Sequence, residues 1–204
     1  MFLGIKHIHF VGIGGIGMSG IAQILHNLGY SVTGSDIKDS ETLHELVSSG
    51  ILVKIGHKRD YVYNADIVVK STAVPNNNIE IVEAKKKKIP VISRAEMLAE
   101  LMRLKRGIVV SGTHGKTTTT AMIAQVLYEG GFDPTMIIGG RFNTIGSNAK
   151  LGSGDFLVAE GDESDGSFLF LLPKISVLTS LGNDHLNYYG SQEKLSQAFI
   201  QFVS

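Results

Sequence analysis

The sequence has no cysteine, no tryptophan and only 4 prolines in 204 residues. Without cysteine there is no disulfide framework, no thiolate zinc site and no cysteine nucleophile. No run of about 18 apolar residues occurs, so no stretch reads as a membrane-spanning helix. The opening MFLGIKHIHFVGIGG lacks a basic segment followed by a cleavable apolar one, and the expectation is a cytoplasmic protein with no membrane partner. Net charge is absent too, with 19 Lys and Arg against 19 Asp and Glu. That balance argues against broad nucleic-acid binding, which depends on many phosphate contacts. A hydrophobic content of 43% with 19% charged residues is that of a folded chain with a sizeable core. Glycine is in excess, 24 residues, or about 12% against a usual ~7%.

Strands and helices alternate along the chain. Lys6–Ile13 is apolar and β-branched, and Met18–Leu28 has helical spacing closed by Gly29. Tyr30–Ser35 and Ile51–Ile55 read as strands around a helix at Glu41–Ser49. Ala65–Lys70 reads as a strand, Ile79–Lys88 as a helix, Pro90–Ile92 as a short strand and Ala95–Leu104 as a helix. The lysines Lys85–Lys88 sit where they complement the dipole of that third helix. After RLKRG (Arg103–Gly107) the pattern restarts with strands at Ile108–Val110, Asp155–Ala159 and Ile175–Leu178, a helix at Thr118–Tyr128 and another at Leu195–Val203. The expectation is an α/β protein: a Rossmann-like parallel-sheet domain over residues 1–106, then part of a P-loop-type α/β ATPase domain over 107–204.

The glycines concentrate in two loops. Gly12-Ile-Gly14-Gly15-Ile-Gly17 follows a strand and opens a helix, where amides can approach a phosphate at the helix N-terminus. Asp36 lies 19 residues after Gly17, at the end of the next strand, placed to accept ribose hydroxyls. This loop alone suits a nucleotide or nucleotide-sugar, and a nicotinamide-dependent oxidoreductase is among its readings. The second loop, SGTHGKTTTT (Ser111–Thr120), has the tail of a P-loop. Lys116 would reach the β- and γ-phosphates of ATP, and the Thr117 hydroxyl would ligate magnesium. Val110 stands where the first P-loop glycine is expected, and Gly112 compensates two residues on.

A P-loop needs a carboxylate near its metal. Phe156–Glu160 supplies an apolar strand ending in Glu160, followed by the polar loop GDESDGSF (Gly161–Phe168). His185, in Asn183-Asp184-His185 after another strand, is a candidate second-metal ligand or a solvated residue. His7, His9, His26, His44 and His57 show no partner pattern.

Taken in order, GIGGIGMSGIA (Gly12–Ala22), GSD (Gly34–Asp36), GTHGKTTTT (Gly112–Thr120) and AEGDESDGSFL (Ala159–Leu169), followed by DHL and YYG, resemble the Mur ligase family of peptidoglycan synthesis, and within it the member that adds the first amino acid. The resemblance implies that UDP-N-acetylmuramate lies along Gly14, Gly15, Ile16 and Gly17, with Asp36 near the uridine ribose. It implies ATP on Gly112, Thr113, His114, Gly115, Lys116, Thr117 and Thr118, and L-alanine as the incoming amine. Lys116, Glu160 and His185 would be the catalytic set, with Mg2+ held by Thr117 and Glu160 and a second ion by His185. Ser71 and Thr72 match the family segment beside the uridine, and Arg94 and the DESDG loop (Asp162–Gly166), Ser164 and Asp165 in particular, would orient the acceptor. Ser180 replaces a usual Asn, Asn187 a usual Asp, and Gly161 a commoner Ala. The family has three domains and this sequence stops in what resembles the second, so the expectation is little or no ligation by these residues alone. A recycling ligase that attaches a preformed peptide, and a non-catalytic nucleotide-binding module, are the alternatives.

Overall fold

The computed structural model describes residues 4–142 and 147–204; residues 1–3, with which the leader reading begins, lie outside them. The chain forms two compact units, Met1–Met97 and Leu98–Ser204. The first is built from β1 (His7–Val11), α1 (Ile16–Asn27), β2 (Ser31–Asp36), α2 (Glu41–Ser48), β3 (Leu52–Ile55), β4 (Ile67–Lys70), α3 (Ile79–Lys86) and β5 (Val91–Ser93). α4 (Arg94–Met102) carries the chain into the second.

The first unit's sheet has the order β3-β2-β1-β4-β5, with every pair parallel. Ile8, Phe10 and Val11 of β1 are fully buried, as parallel strands covered on both faces require. Ile21, Leu25, Val68 and Ile81 join them in the core. From β1 the chain runs outward to β2 and β3, then returns to β4 on the opposite side of β1. The carboxyl ends of β1 and β4 therefore flank a reversal of strand order, where α/β sheets open a crevice. Asn78 caps α3, its Oδ1 accepting the Glu80 N–H at 2.9 Å.

The second unit contains β6 (Arg106–Ser111), α5 (Lys116–Glu129), β7 (Thr135–Phe142), β8 (Ser147–Lys150), β9 (Phe156–Glu160), β10 (Ile175–Leu178), α6 (Leu186–Tyr189) and α7 (Gln192–Val203). Its strand order is β10-β6-β9-β7-β8. β8 runs antiparallel to β7, an edge hairpin that sequence periodicity did not announce, and the other pairs are parallel. β6 is central, with β9 on one side and β10 on the other. Three loops, after β6, β9 and β10, are thus gathered at one edge. Phe168, fully buried, seats the β9 loop by packing on Phe199 and Phe202 of α7 with ring centroids 5.3 and 5.1 Å away.

Candidate functional site

In the first unit the glycine loop bridges the carboxyl ends of β1, β2 and β4. Gly12 has φ +81°, and a Cβ there would lie 2.9 Å from both Ser71 Cβ and Val74 Cγ2, so glycine is what lets this loop cross the one after β4. Gly14 N–H donates to Asp36 Oδ2 at 2.9 Å, and Gly15 caps α1. Asp36 thus braces the loop from the end of β2. A cavity of about 350 Å³ opens beside it, lined among others by Gly12, Gly15, Asp36, His57, Ser71 and Val74. That volume lies within the usual range for small-molecule sites.

Of the residues singled out from the sequence, Gly15, Asp36 and Ser71 line this cavity, and Gly14 is tied to its wall. Ile16 is the half-exposed first residue of α1, and Gly17 packs against Arg94, whose Nη1 would lie 3.1 Å from an added Cβ. Thr72 is exposed and outside the lining residues. Ser164 and Asp165 belong to the second unit.

Beneath the cavity lies a polar cluster the sequence reading missed. Glu80 is fully buried, and its carboxylate accepts from His9 Nε2 at 2.8 Å, Ser35 Oγ at 2.9 Å and His57 Nδ1 at 2.9 Å. Thr33 Oγ1 lies 2.8 Å from His9 Nδ1 and 2.8 Å from His7 Nε2. The sequence shows no partner pattern for His7, His9 and His57 because their partners, Thr33, Ser35, Asn64 and Glu80, are distant in sequence. Burial opposes the Glu80 charge, but hydrogen bonds and charge from His9, with Ser35 and His57, outweigh it and hold the carboxyl below its ordinary value. Asp133 is lowered too, to about 2, by the Ser153 N–H and hydroxyl and by Lys150. With folded values below unfolded ones, both carboxylates stabilise the fold above the ordinary carboxylate range, and that stability is lost as pH falls through the lowered values. Denaturation followed from pH 7 to pH 3 is expected to show a steady fall below about pH 4.5, shallower in a Glu80→Gln variant than in the parent.

In the second unit β6 ends in the loop Gly112–Gly115, and Lys116 begins α5. Gly112 has φ +130°, and an added Cβ would lie 2.9 Å from both the Ser180 N and the Ser180 O. The compensating glycine is thus required by the backbone following β10. Thr113 N–H donates to Ser180 O at 3.1 Å, and the Thr113 hydroxyl accepts the Gly182 N–H at 2.7 Å. Ser180 Oγ accepts the His114 N–H at 2.9 Å and donates to His114 O at 3.2 Å. Ser180 therefore pins both backbone groups of His114. Ser180→Ala is expected to cost about 1–2 kcal/mol in urea denaturation.

Lys116 Nζ donates to Gly112 O at 2.7 Å and pairs with Glu163 Oε1 at 2.8 Å. Glu163 is 1% exposed, and its Oε2 is buried without a hydrogen-bond partner among the described residues. His185, at φ +60°, places Nε2 3.4 Å from Glu163 Oε1. In the sequence Glu163 enters only as part of the DESDG loop expected to orient the acceptor; in the structure it joins Lys116 to His185. Its backbone oxygen accepts the Tyr189 hydroxyl at 2.5 Å, and burial together with Tyr188 and nearby carboxylates pushes that phenol up to about 12. Ser164 and Asp165 are occupied in tight turns, Ser164 Oγ donating to Asp162 Oδ1 at 2.7 Å and Asp165 Oδ1 accepting the Ser167 N–H at 3.0 Å.

Thr117 Oγ1 donates to Glu160 Oε2 at 3.2 Å, which brings a hydroxyl and a carboxylate together at the start of α5. This oxygen pair fits Mg2+, an ion that takes one or two protein carboxylates and completes its shell with phosphates and water. Among the described residues, no three His, Asp or Glu side chains converge as a metal cage. His185 lies with Glu163 and Lys116.

Each unit thus carries a glycine loop between a parallel strand and a helix N-terminus, the architecture of a two-unit α/β protein of the phosphate-loop class. Residues 7–106 match the model of the Mur ligase family, catalytic domain, and residues 110–204 that of the Mur ligase middle domain. The chain belongs to the Mur ligase family. It is 60% identical to a UDP-N-acetylmuramate–L-alanine ligase of Geobacter sulfurreducens, a match spanning all of this chain and 44% of the relative, and 58% identical to its counterpart in Trichlorobacter lovleyi. The crystal structure of the UDP-N-acetylmuramate-alanine ligase MurC of Thermotoga maritima superposes with a TM-score of 0.89 at 37% identity, covering 97% of this chain and 46% of that one. A UDP-N-acetylmuramate:L-alanyl-gamma-D-glutamyl-meso-diaminopimelate ligase from Neisseria meningitides also gives 0.89, at 29% identity, over 97% of this chain and 67% of that one. The chain spans less than half the length of these curated relatives.

Proposed function

We propose that these residues form the nucleotide-sugar-binding domain, over 1–106, and part of the ATP-binding domain, over 107–204, of a cytoplasmic ligase joining L-alanine to UDP-N-acetylmuramate. The observation that carries this reading is the separation of two loop sites in two units: a cavity at Gly12–Asp36–Ser71, and Lys116 with Glu163 beside Thr117 and Glu160. The names of relatives at 58–60% identity support the substrate assignment.

The chemistry solves a definite problem. A carboxylate is a poor electrophile because it has no competent leaving group. Transfer of the ATP γ-phosphoryl group to the muramoyl carboxylate forms a C–O–P linkage and releases ADP. The alanine amine then attacks the acyl carbon, the C–O bond to phosphate breaks, and an amide forms as the amine loses a proton. Lys116 would exchange Glu163 for the β- and γ-phosphates and stabilise charge in the transfer. Gly112, Thr113, His114, Gly115, Thr117 and Thr118 would cradle the phosphates. Bound magnesium would neutralise phosphate charge; Thr117 and Glu160 would hold it, with His185 at a second ion. In the first unit Gly14, Gly15, Ile16 and Gly17 would face the diphosphate, Asp36, Ser71 and Thr72 the uridine, and Arg94 the acceptor; in the second unit Ser164 and Asp165 would help orient the acceptor.

Calorimetry with UDP-N-acetylmuramate tests the first-unit assignment, and the absence of binding at millimolar ligand would sink it. The recycling ligase is the second reading, favoured by the equal TM-score of the Neisseria structure. In a form carrying the family's third domain, ATP turnover stimulated by alanine and not by a tripeptide supports the first reading, and the converse the second.

A further inference from the structure

His57 enters the cavity wall with 15% of its side chain exposed, and the mechanism above makes no use of it. Its Nδ1 is 2.9 Å from Glu80 Oε1 and 3.1 Å from Ser35 Oγ. Ser35 gives its own proton to Glu80 Oε2, so the oxygen it turns to His57 can only accept. The Glu80 carboxylate also only accepts. Its other neighbours are the Lys58 N–H, 3.3 Å from Oε1, and His9 Nε2, 2.8 Å from Oε2. With acceptors on both sides of Nδ1, the single hydrogen of a neutral His57 ring sits there. Nε2 then carries a lone pair, and it has no hydrogen-bond partner among the described residues.

We propose that Glu80 is a positioning residue for this cavity: it locks the His57 tautomer so that Nε2 is a hydrogen-bond acceptor, and the cavity selects a ligand offering a donor there. The proposal rests on the nucleotide-sugar reading of the first unit. Two parts of such a ligand supply the donor, the ribose 2′-hydroxyl or the ring N3–H of a uracil base. Replacing Glu80 by Gln inverts the arrangement. The amide oxygen stays with the Ser35 and His9 donors, its NH2 faces Nδ1, and the His57 hydrogen moves to Nε2, turning donor against donor. Removing the imidazole and inverting it should therefore cost affinity to a similar degree.

The test is a histidine-ring 15N NMR spectrum of the ligand-free chain at pH 8, where an ordinary imidazole is neutral, followed by titration with UDP, 2′-deoxy-UDP and CDP. The parent is expected to show the Nδ1–H tautomer of His57, and Glu80→Gln the Nε2–H tautomer. Glu80→Gln and His57→Ala should each weaken UDP binding about 10-fold, and the double variant no more than His57→Ala alone, because both act through one group. The His57→Ala loss should vanish with 2′-deoxy-UDP if the 2′-hydroxyl is the donor, and with CDP, whose N3 has no hydrogen, if the base is. An Nε2–H tautomer in the parent, additive losses, or an equal loss with all three nucleotides overturns the proposal. If UDP does not bind the parent, the nucleotide reading and the ligand half of the proposal fall together, while the ring spectrum alone decides the tautomer lock. Should Glu80→Gln fail to fold, Ser35→Ala tests the lock from the other side: Glu80 Oε1 still faces Nδ1 at 2.9 Å, so the Nδ1–H tautomer should be kept, and an Nε2–H tautomer in that variant overturns the proposal.

Discussion

Lys116→Ala is expected to weaken ATP binding by roughly 10–100-fold, the worth of one or two charge-assisted hydrogen bonds. In a form able to turn over, phosphoryl transfer should fall by roughly 100–1000-fold. The ligand-free structure makes the experiment richer. The Lys116 ammonium is the cationic partner of Glu163, which is 1% exposed. Removing it leaves the buried carboxylate with His185 alone, 3.4 Å away, so the single variant should also lose stability. Adding Glu163→Gln should restore much of that stability without restoring ATP affinity. Glu163→Gln alone should bind ATP at least as well as the parent, since Lys116 no longer leaves an ionic partner to reach the phosphates. Nucleotide titration and urea denaturation of the four proteins separate these effects. ATP affinity that recovers along with stability would assign Lys116 a purely structural part.

Phe168→Ala should produce the largest change in stability. The ring is fully buried between Phe199 and Phe202 and ends the acidic loop that begins at Glu160. Truncating such a phenylalanine costs about 3–5 kcal/mol, and more when the cavity cannot collapse. Here α7 and the β9 loop meet on that one ring. Loosening it should free the loop that holds Glu163 against Lys116. Calorimetry is expected to show the second unit melting on the order of 10 °C lower, with the first unit's transition unmoved. A melting temperature unchanged within a degree or two would remove Phe168 from this role.

Where local pattern and tertiary role coincide, the fold was legible in the sequence. β1, β4 and β6 are apolar runs, and their boundaries in the structure differ from the expected ones by a residue or two. Both glycine loops fall between the strand and helix expected of them. The β7–β8 hairpin was not legible, because TMIIGGRF carries two glycines mid-strand and no alternating pattern. α3 shows a different limit. It buries Glu80 and Glu83 while Ile79 and Val82 face solvent, the reverse of what an apolar stripe predicts. Its orientation follows from His9 and His57, which reach it from distant segments. The same limit hid part of the candidate site. Gly112, Lys116, Thr117 and Glu160 announce themselves by spacing, but Glu163 stands out only from its burial and its contacts with Lys116 and His185. Ser180 reads as a loss by comparison with the family, yet it holds both backbone groups of His114.

The central claim is that two phosphate-bearing ligands have separate sites, one per unit. Titrating UDP-N-acetylmuramate into the chain by calorimetry, alone and in the presence of saturating non-hydrolysable ATP analogue, tests it most directly. The predicted result is one UDP-sugar per chain in both titrations, with an affinity that Lys116→Ala leaves unchanged and Asp36→Ala lowers. Displacement of the UDP-sugar by the ATP analogue, or its loss in Lys116→Ala, would contradict the claim.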